Sequence, residues 1–168
     1  VFKGTYRHKL DPKGRLPVPA PFRRALAQSG ARSVVLTVLD QCLAAYSPRE
    51  WARLEERLSG LSPLSKPARA LTRLLASRAV ECPLDGQGRV LIPSPLRQAA
   101  GLTREAAVIG VLNRFEVWVP ESWQAFLRES ERLLEDAALE VQWPPASDSP
   151  PASVTADPAR HPQPKPNG

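Results

Sequence analysis

The chain has 168 residues, room for one ordinary domain or two small ones, and 42% of them are hydrophobic, enough to build a core. No run of 18 apolar residues occurs, so a membrane-spanning helix is excluded and no membrane is expected as a partner. The net charge of +6 is unevenly placed: residues 1–33 hold eight Lys or Arg against Asp11 alone, a local +7 that leaves the remainder slightly acidic.

Residues 5–10 alternate as a short strand, and Asp11-Pro12-Lys13-Gly14 supplies a turn. The turn has an acceptor carboxylate, a proline with fixed φ, and a glycine able to take positive φ. Residues 15–18 are expected to return as the partner strand. Pro19 and Pro21 then open a helix that runs to about Gln28 and stops at Gly30. The β-branched run SVVLTVL (33–39), a turn at Asp40-Gln41 and a strand to Tyr46 form a hairpin. Ser47-Pro48-Arg49-Glu50 has the spacing of a capping box, so a helix is expected to about Ser59. Residues 60–67 form a loop, and 68–79 a further helix.

From Val80 the order begins again. A strand over 80–84 leads through Asp85-Gly86-Gln87-Gly88 to a strand over 89–92, a short helix over 95–100 and a stop at Gly101. Residues 106–112 pair across Asn113-Arg114 with 115–119, and a helix runs from Pro120 to about Leu139 with Trp123, Phe126, Leu127 and Leu134 as a buried stripe. Trp51 and Trp123 open the closing helix of each half and are expected to be packing residues. Residues 144–168 hold eight prolines and almost no large apolar side chains, so the tail is expected to be disordered.

The polar, basic N-terminus VFKGTYRHKL has no apolar stretch behind it, which predicts no signal peptide and a cytoplasmic location. Cys42 and Cys82 lie far apart without CxxC spacing; two buried thiols are expected and no metal. His8 and His161 stand beside no plausible nucleophile, and no glycine-rich phosphate loop occurs. No enzyme activity, cofactor or small-molecule substrate is therefore expected.

The two halves repeat a phrase. LDPKGRLPVPAPFRRAL (10–26) aligns with LDGQGRVLIPSPLRQAA (84–100) at an offset of 74 residues, with eight identities, among them Asp11/Asp85, Gly14/Gly88, Arg15/Arg89 and Arg23/Arg97. Two copies of a hairpin, short helix, hairpin, helix unit follow, and neither has a good core alone. The expected fold is α+β: two such units, 1–60 and 80–142, interleave their hairpins into one closed barrel with flanking helices, joined by a linker with a helix over 61–79 and followed by the tail over 143–168. Closure would place the two turns as a pseudo-twofold pair, matching the local symmetry of a duplex.

In Asp-x-x-x-Arg the aspartate can accept hydrogen bonds from turn amides and orient the arginine. Asp11, Gly14, Asp85 and Gly88 are thus expected to structure the turns. Around Arg15 stand Lys13, Lys9 and Arg7, more positive charge than a turn requires, which favours phosphate as a partner. A solvated basic face without a partner is the alternative. Around Arg89 the neighbours are neutral, with Gln87 in the place of Lys13, so the copies should contribute unequally.

FKGTYRHKLDPKGR, YSPREW, LDGQGRVLIPSPLR and FEVWVPESW together resemble the MraZ family over residues 1–142. The resemblance implies a bacterial transcription regulator of two AbrB-like swapped-hairpin units. It would bind double-stranded DNA at repeats upstream of its own gene and the division and cell wall cluster, assemble as a homo-oligomeric ring, and associate with the nucleoid. It also implies Arg15 and Arg89 as the main DNA contacts, assisted by Lys13, with Asp11 and Asp85 holding the turns. The competing expectation is a non-specific nucleoid-associated or scaffold ring protein that binds DNA through charge alone. Pro17 departs from the family pattern, standing where a hydrogen-bonding residue is usual, and predicts an edge or irregular strand.

Overall fold

The computed structural model describes residues 1–134. Val1–Ser130 form one compact unit, and Glu131–Gly168 a second of which only the beginning is described. The expected continuation of the last helix to Leu139 and the disordered tail lie outside the described residues.

The elements follow in the order β1 (Phe2–Lys9), β2 (Arg15–Pro17), α1 (Ala20–Gln28), β3 (Ser33–Leu39), β4 (Cys42–Tyr46), α2 (Pro48–Ser59), α3 (Lys66–Ala76), β5 (Val80–Pro83), β6 (Arg89–Leu91), α4 (Ser94–Ala99), β7 (Glu105–Leu112), β8 (Arg114–Trp118) and α5 (Pro120–Arg132). Local chemistry explains most boundaries. Ser47 caps α2, its Oγ accepting from the Glu50 amide at 3.3 Å. Ser65 caps α3 in the same way through the Ala68 amide at 3.3 Å. This helix starts two residues earlier than expected because Pro67 falls in the first turn, where its missing N–H is not needed.

Strand pairing departs from the sequence expectation. Six strands form one antiparallel sheet in the order β1-β7-β8-β4-β3-β5, and β2 pairs with β6 in a separate two-stranded ribbon. The closed barrel is therefore not formed: β1 and β5 are the ends of an open sheet. The strands that would have closed it are three residues long, and Pro17 cannot donate to a ladder on its second side. Nor does β2 return along β1 as a hairpin; β1 pairs over eight residues with β7, from Phe2↔Leu112 to Lys9↔Glu105. The hairpins β3–β4 and β7–β8 form as expected, and β3–β5 and β4–β8 join strands from opposite halves of the chain.

The large sheet is covered on both faces, which is why β3 reads as an apolar run interrupted only by Thr37 between Val34 and Leu39. On one face Val34, Leu36 and Val38 join Leu16, Val18, Phe22, Leu26, Val90, Ile92 and Phe115. Phe22 and Phe115 each meet the Phe2 ring edge-on, at centroid distances of 5.3 and 5.4 Å. On the other face Val35, Ala44 and Tyr46 pack with Trp51 and Leu58 of α2 and Leu75 of α3. Thr37, fully buried, donates its hydroxyl to the Leu75 carbonyl at 2.9 Å.

The apolar stripe expected on α5 is buried only in part. Trp123 packs against Trp118 at 5.6 Å, but Phe126 is 49% exposed and Leu134 66%. Trp118 is the aromatic that α5 meets on the sheet, and the Phe126 ring also lies against it at 5.2 Å despite its exposure. Cys42 and Cys82 are both buried free thiols; burial pushes Cys82 up to about 11 and raises Cys42 further. Neither is a reactive thiolate near neutral pH.

Candidate nucleic-acid interface

The β2–β6 ribbon is centred on Leu16↔Val90, whose side chains are buried. Period-two alternation then sends Arg15 and Pro17 of one strand, and Arg89 and Leu91 of the other, to the opposite face. Beyond the ribbon's ends, the Val18 amide donates to the Gly88 carbonyl and the Ile92 amide to the Gly14 carbonyl, each at 3.0 Å. These two bonds are related by the 74-residue offset of the repeat. Because hydrogen-bonded pairs alternate along an antiparallel ladder, Arg15↔Leu91 and Pro17↔Arg89 are the non-hydrogen-bonded pairs. Of the two expectations for Pro17, the edge strand is the one found: β2 pairs only with β6, and the register gives Pro17 a position that needs no N–H.

That register also frees the amides of Arg15 and Arg89 for the turns. The Asp11 carboxylate accepts from the amides of Lys13 and Arg15, both at 2.9 Å, and the Asp85 carboxylate from those of Gln87 and Arg89, both at 2.9 Å. Gly14 and Gly88 close the turns at φ +84° and +72°, donating back to the Asp11 and Asp85 carbonyls. The amide of Arg15, then that of Lys13 and the Arg15 and Arg89 charges, hold the Asp11 carboxyl below the usual carboxylate range. At Asp85 the Arg89 amide leads, followed by its guanidinium and the Gln87 amide.

The guanidinium groups are held unequally. Arg89 donates Nε to Asp85 Oδ2 at 2.8 Å and places Nη1 3.8 Å from Asp11 Oδ2, so it lies between both carboxylates. Arg15 has the looser contact, Nε at 3.4 Å from Asp11 Oδ2. The structure therefore brings Arg15, Arg89, Asp11, Asp85, Gly14 and Gly88 together, with Lys13 exposed on the first turn. Arg7 and Lys9 lie on the exposed side of β1, where they line a hollow with His8, Glu105, Ala106 and Pro120.

Two further arginines belong to this cluster and were not assigned a role from sequence. Arg23 donates Nη1 to the Val18 carbonyl at 2.7 Å, and Arg97 donates Nε to the Ile92 carbonyl at 3.1 Å. Each lies over the turn glycine of the other half: a Cβ on Gly14 would stand 2.6 Å from Arg97 Cζ, and one on Gly88 2.2 Å from Arg23 Cδ. The signal was present, since Arg23 and Arg97 coincide in the repeat, but nothing local indicated that each crosses to the opposite copy. The Arg23 charge, after burial, also lowers the pKa of His8. Chemically Arg15 and Arg89 of the ribbon, Arg23 of α1, Arg97 of α4 and Lys13 of the first turn set five cationic groups against two carboxylates, and planar guanidinium donors suit phosphate oxygens and guanine edges.

Comparison with known proteins bears on this surface. A family model described as "MraZ protein, putative antitoxin-like" matches the chain twice, over residues 1–74 and 75–142. The chain is 46% identical over 138 residues, covering 82% of its length and 94% of the relative's, to the Transcriptional regulator MraZ of Ligilactobacillus salivarius (strain UCC118). With both halves matched and the relative covered almost end to end, the chain belongs to the MraZ family.

Proposed function

We propose that this chain is a non-catalytic, sequence-specific DNA-binding transcriptional regulator that reads the duplex with the exposed face of the β2–β6 ribbon. The observation that carries this reading is the placement of Arg15 and Arg89 on that face, each beside an aspartate bound to its own turn. A major groove admits a two-stranded ribbon, and an arginine fork reads the O6 and N7 of guanine. Lys13, with Arg7 and Lys9 along β1, supplies phosphate contacts that set affinity and orientation. The name of the relative supports transcriptional regulation.

The finer reading has two AbrB-like swapped-hairpin units, 1–60 and 80–142, joined by 61–79. Several copies assemble as a ring so that successive ribbons engage successive DNA repeats, upstream of the chain's own gene and of a division and cell wall cluster. One ribbon offers few base contacts, and linked copies multiply them. The working location is the cytoplasm, on the nucleoid.

Footprinting the full chain on the DNA immediately upstream of its own gene tests the reading. Protection of spaced repeats that survives excess random duplex is expected, together with its loss in Arg15→Ala. Binding abolished by random competitor would assign the chain to charge-driven coating instead.

A further inference from the structure

Arg15 and Arg89 are not the whole of the ribbon's outer face. Leu91 lies directly across from Arg15 and is 53% exposed, while its chain neighbour Val90 is buried in the core. With Val90 pinned inward, period-two alternation leaves Leu91 no route into the protein. The pair Arg15↔Leu91 is non-hydrogen-bonded, the class in which opposed side chains leave the backbone closest together, so Leu91 and Arg15 leave the ribbon side by side on the same face. Across the pseudo-twofold, Pro17 faces Arg89 in the same way. Each arginine of the ribbon is thus paired with an apolar side chain on the surface proposed to meet the duplex.

Among the groups that tell the base pairs apart in the major groove, the bulky apolar one is the 5-methyl group of thymine. We infer that Leu91 is a specificity-determining residue whose side chain contacts the 5-methyl group of a thymine next to the base addressed by Arg15. This rests on the ribbon's entering the major groove, as proposed above. It adds that the site read there contains a required thymine and that the requirement is for its methyl group. A leucine makes no hydrogen bond, so it selects thymine through contact with the methyl group that cytosine and the purines lack.

The test uses the full chain and duplexes that it enriches from a randomised pool. The enriched sequence is resynthesised with deoxyuridine replacing thymidine one position at a time, which removes the methyl group and leaves base pairing unchanged. Dissociation constants are then measured for the unaltered chain, Leu91→Ala and Leu91→Ser, each checked by thermal melting and size-exclusion chromatography. One thymine is expected whose replacement weakens the unaltered chain roughly fourfold, the worth of one buried methyl group. Both variants should bind the thymine duplex more weakly by at least that factor and be indifferent to the uracil at that position. Using two variants guards against a fold defect peculiar to either one.

Indifference of the unaltered chain to every uracil, an enriched site without thymine, or variants that keep the full methyl discrimination would each overturn the inference. A change of oligomeric state in both variants with methyl discrimination intact would likewise overturn it and assign Leu91 to contact between copies. Failure to enrich any sequence would instead overturn the sequence-specific reading on which the inference rests.

Discussion

Arg97 covers Gly14 across the two halves of the chain: its guanidinium carbon would lie 2.6 Å from a Cβ at that position. The glycine is required twice over, by its φ of +84° and by the arginine above it. Arg23 and Gly88 repeat the relationship in the opposite sense. Each turn is therefore completed by the other half, and damage to one should be felt in both.

Gly14→Ala should destabilise the chain by about 1–2 kcal/mol from the left-handed backbone alone, with an added effect from displacing Arg97. Urea unfolding of Gly14→Ala, Arg97→Ala and the double variant measures the coupling. Removing Arg97 relieves the clash but not the backbone strain, so the double variant should be less damaged than the sum of the singles. Additive effects would show that the arginine and the glycine are independent.

Arg15→Ala should leave the melting temperature almost unchanged while reducing discrimination between cognate and random duplex by about 1–3 kcal/mol. Lys13→Ala should weaken binding to both kinds of duplex and lower the salt slope by about 0.9. Arg89→Ala should lower the melting temperature as well as binding, because Arg89 lies between Asp85 and Asp11. Salt-dependent binding isotherms and melts on the three variants separate these roles.

Asp11 and Asp85 both titrate below their ordinary value of 3.8. A depressed carboxylate stabilises the fold above its unfolded pKa, and the contribution is lost as pH falls through the folded value. Stability from these turns should be flat from about pH 7 to about pH 5 and should fall below about pH 4. Asparagine keeps an acceptor for the turn amides but not the charge, so the Asp11→Asn, Asp85→Asn double variant should lose that part of the acid dependence. Urea midpoints taken across this range check it; an unchanged acid limb would place the dependence in other groups.

Phe115→Ala should cost about 3–5 kcal/mol, the usual range for truncating a buried phenylalanine. Phe115 is fully buried and its ring meets Phe2 and Phe22, which come from the other half of the chain. Because this core joins both halves, denaturant should unfold residues 1–130 in one transition, in the unaltered chain and in the variant. Two separable transitions would mean that the halves are independently stable.

Much of the local structure was legible in the sequence. Ser47 and Pro48 mark the start of α2, Gly30 and Gly101 the ends of α1 and α4, and Asp40-Gln41 the β3–β4 turn, where Asp40 takes a φ of +51°. Each boundary depends on the chemistry of a few adjacent residues. The α5 stripe was misjudged because a three-and-four spacing states that a face is apolar, not what covers it; Phe126 and Leu134 are largely exposed. Of the candidate site, the two Asp-x-x-x-Arg turns were legible because the same residues recur at 74-residue spacing. Arg7 and Lys9 lie on the exposed side of β1, where they line a hollow with Glu105 and Pro120.

By itself the sequence determined the turns, the caps, the duplication of the phrase and the charge of the first 33 residues, all properties of neighbouring side chains or of composition. Only the tertiary structure decided that β2 pairs with β6 rather than with β1, that Arg97 lies over Gly14 and Arg23 over Gly88, and that Leu91 stands beside Arg15. Strand partners are chosen by shared burial across the whole chain, here Leu16 and Val90 entering one core, and an alternating pattern records which face is buried without recording the partner.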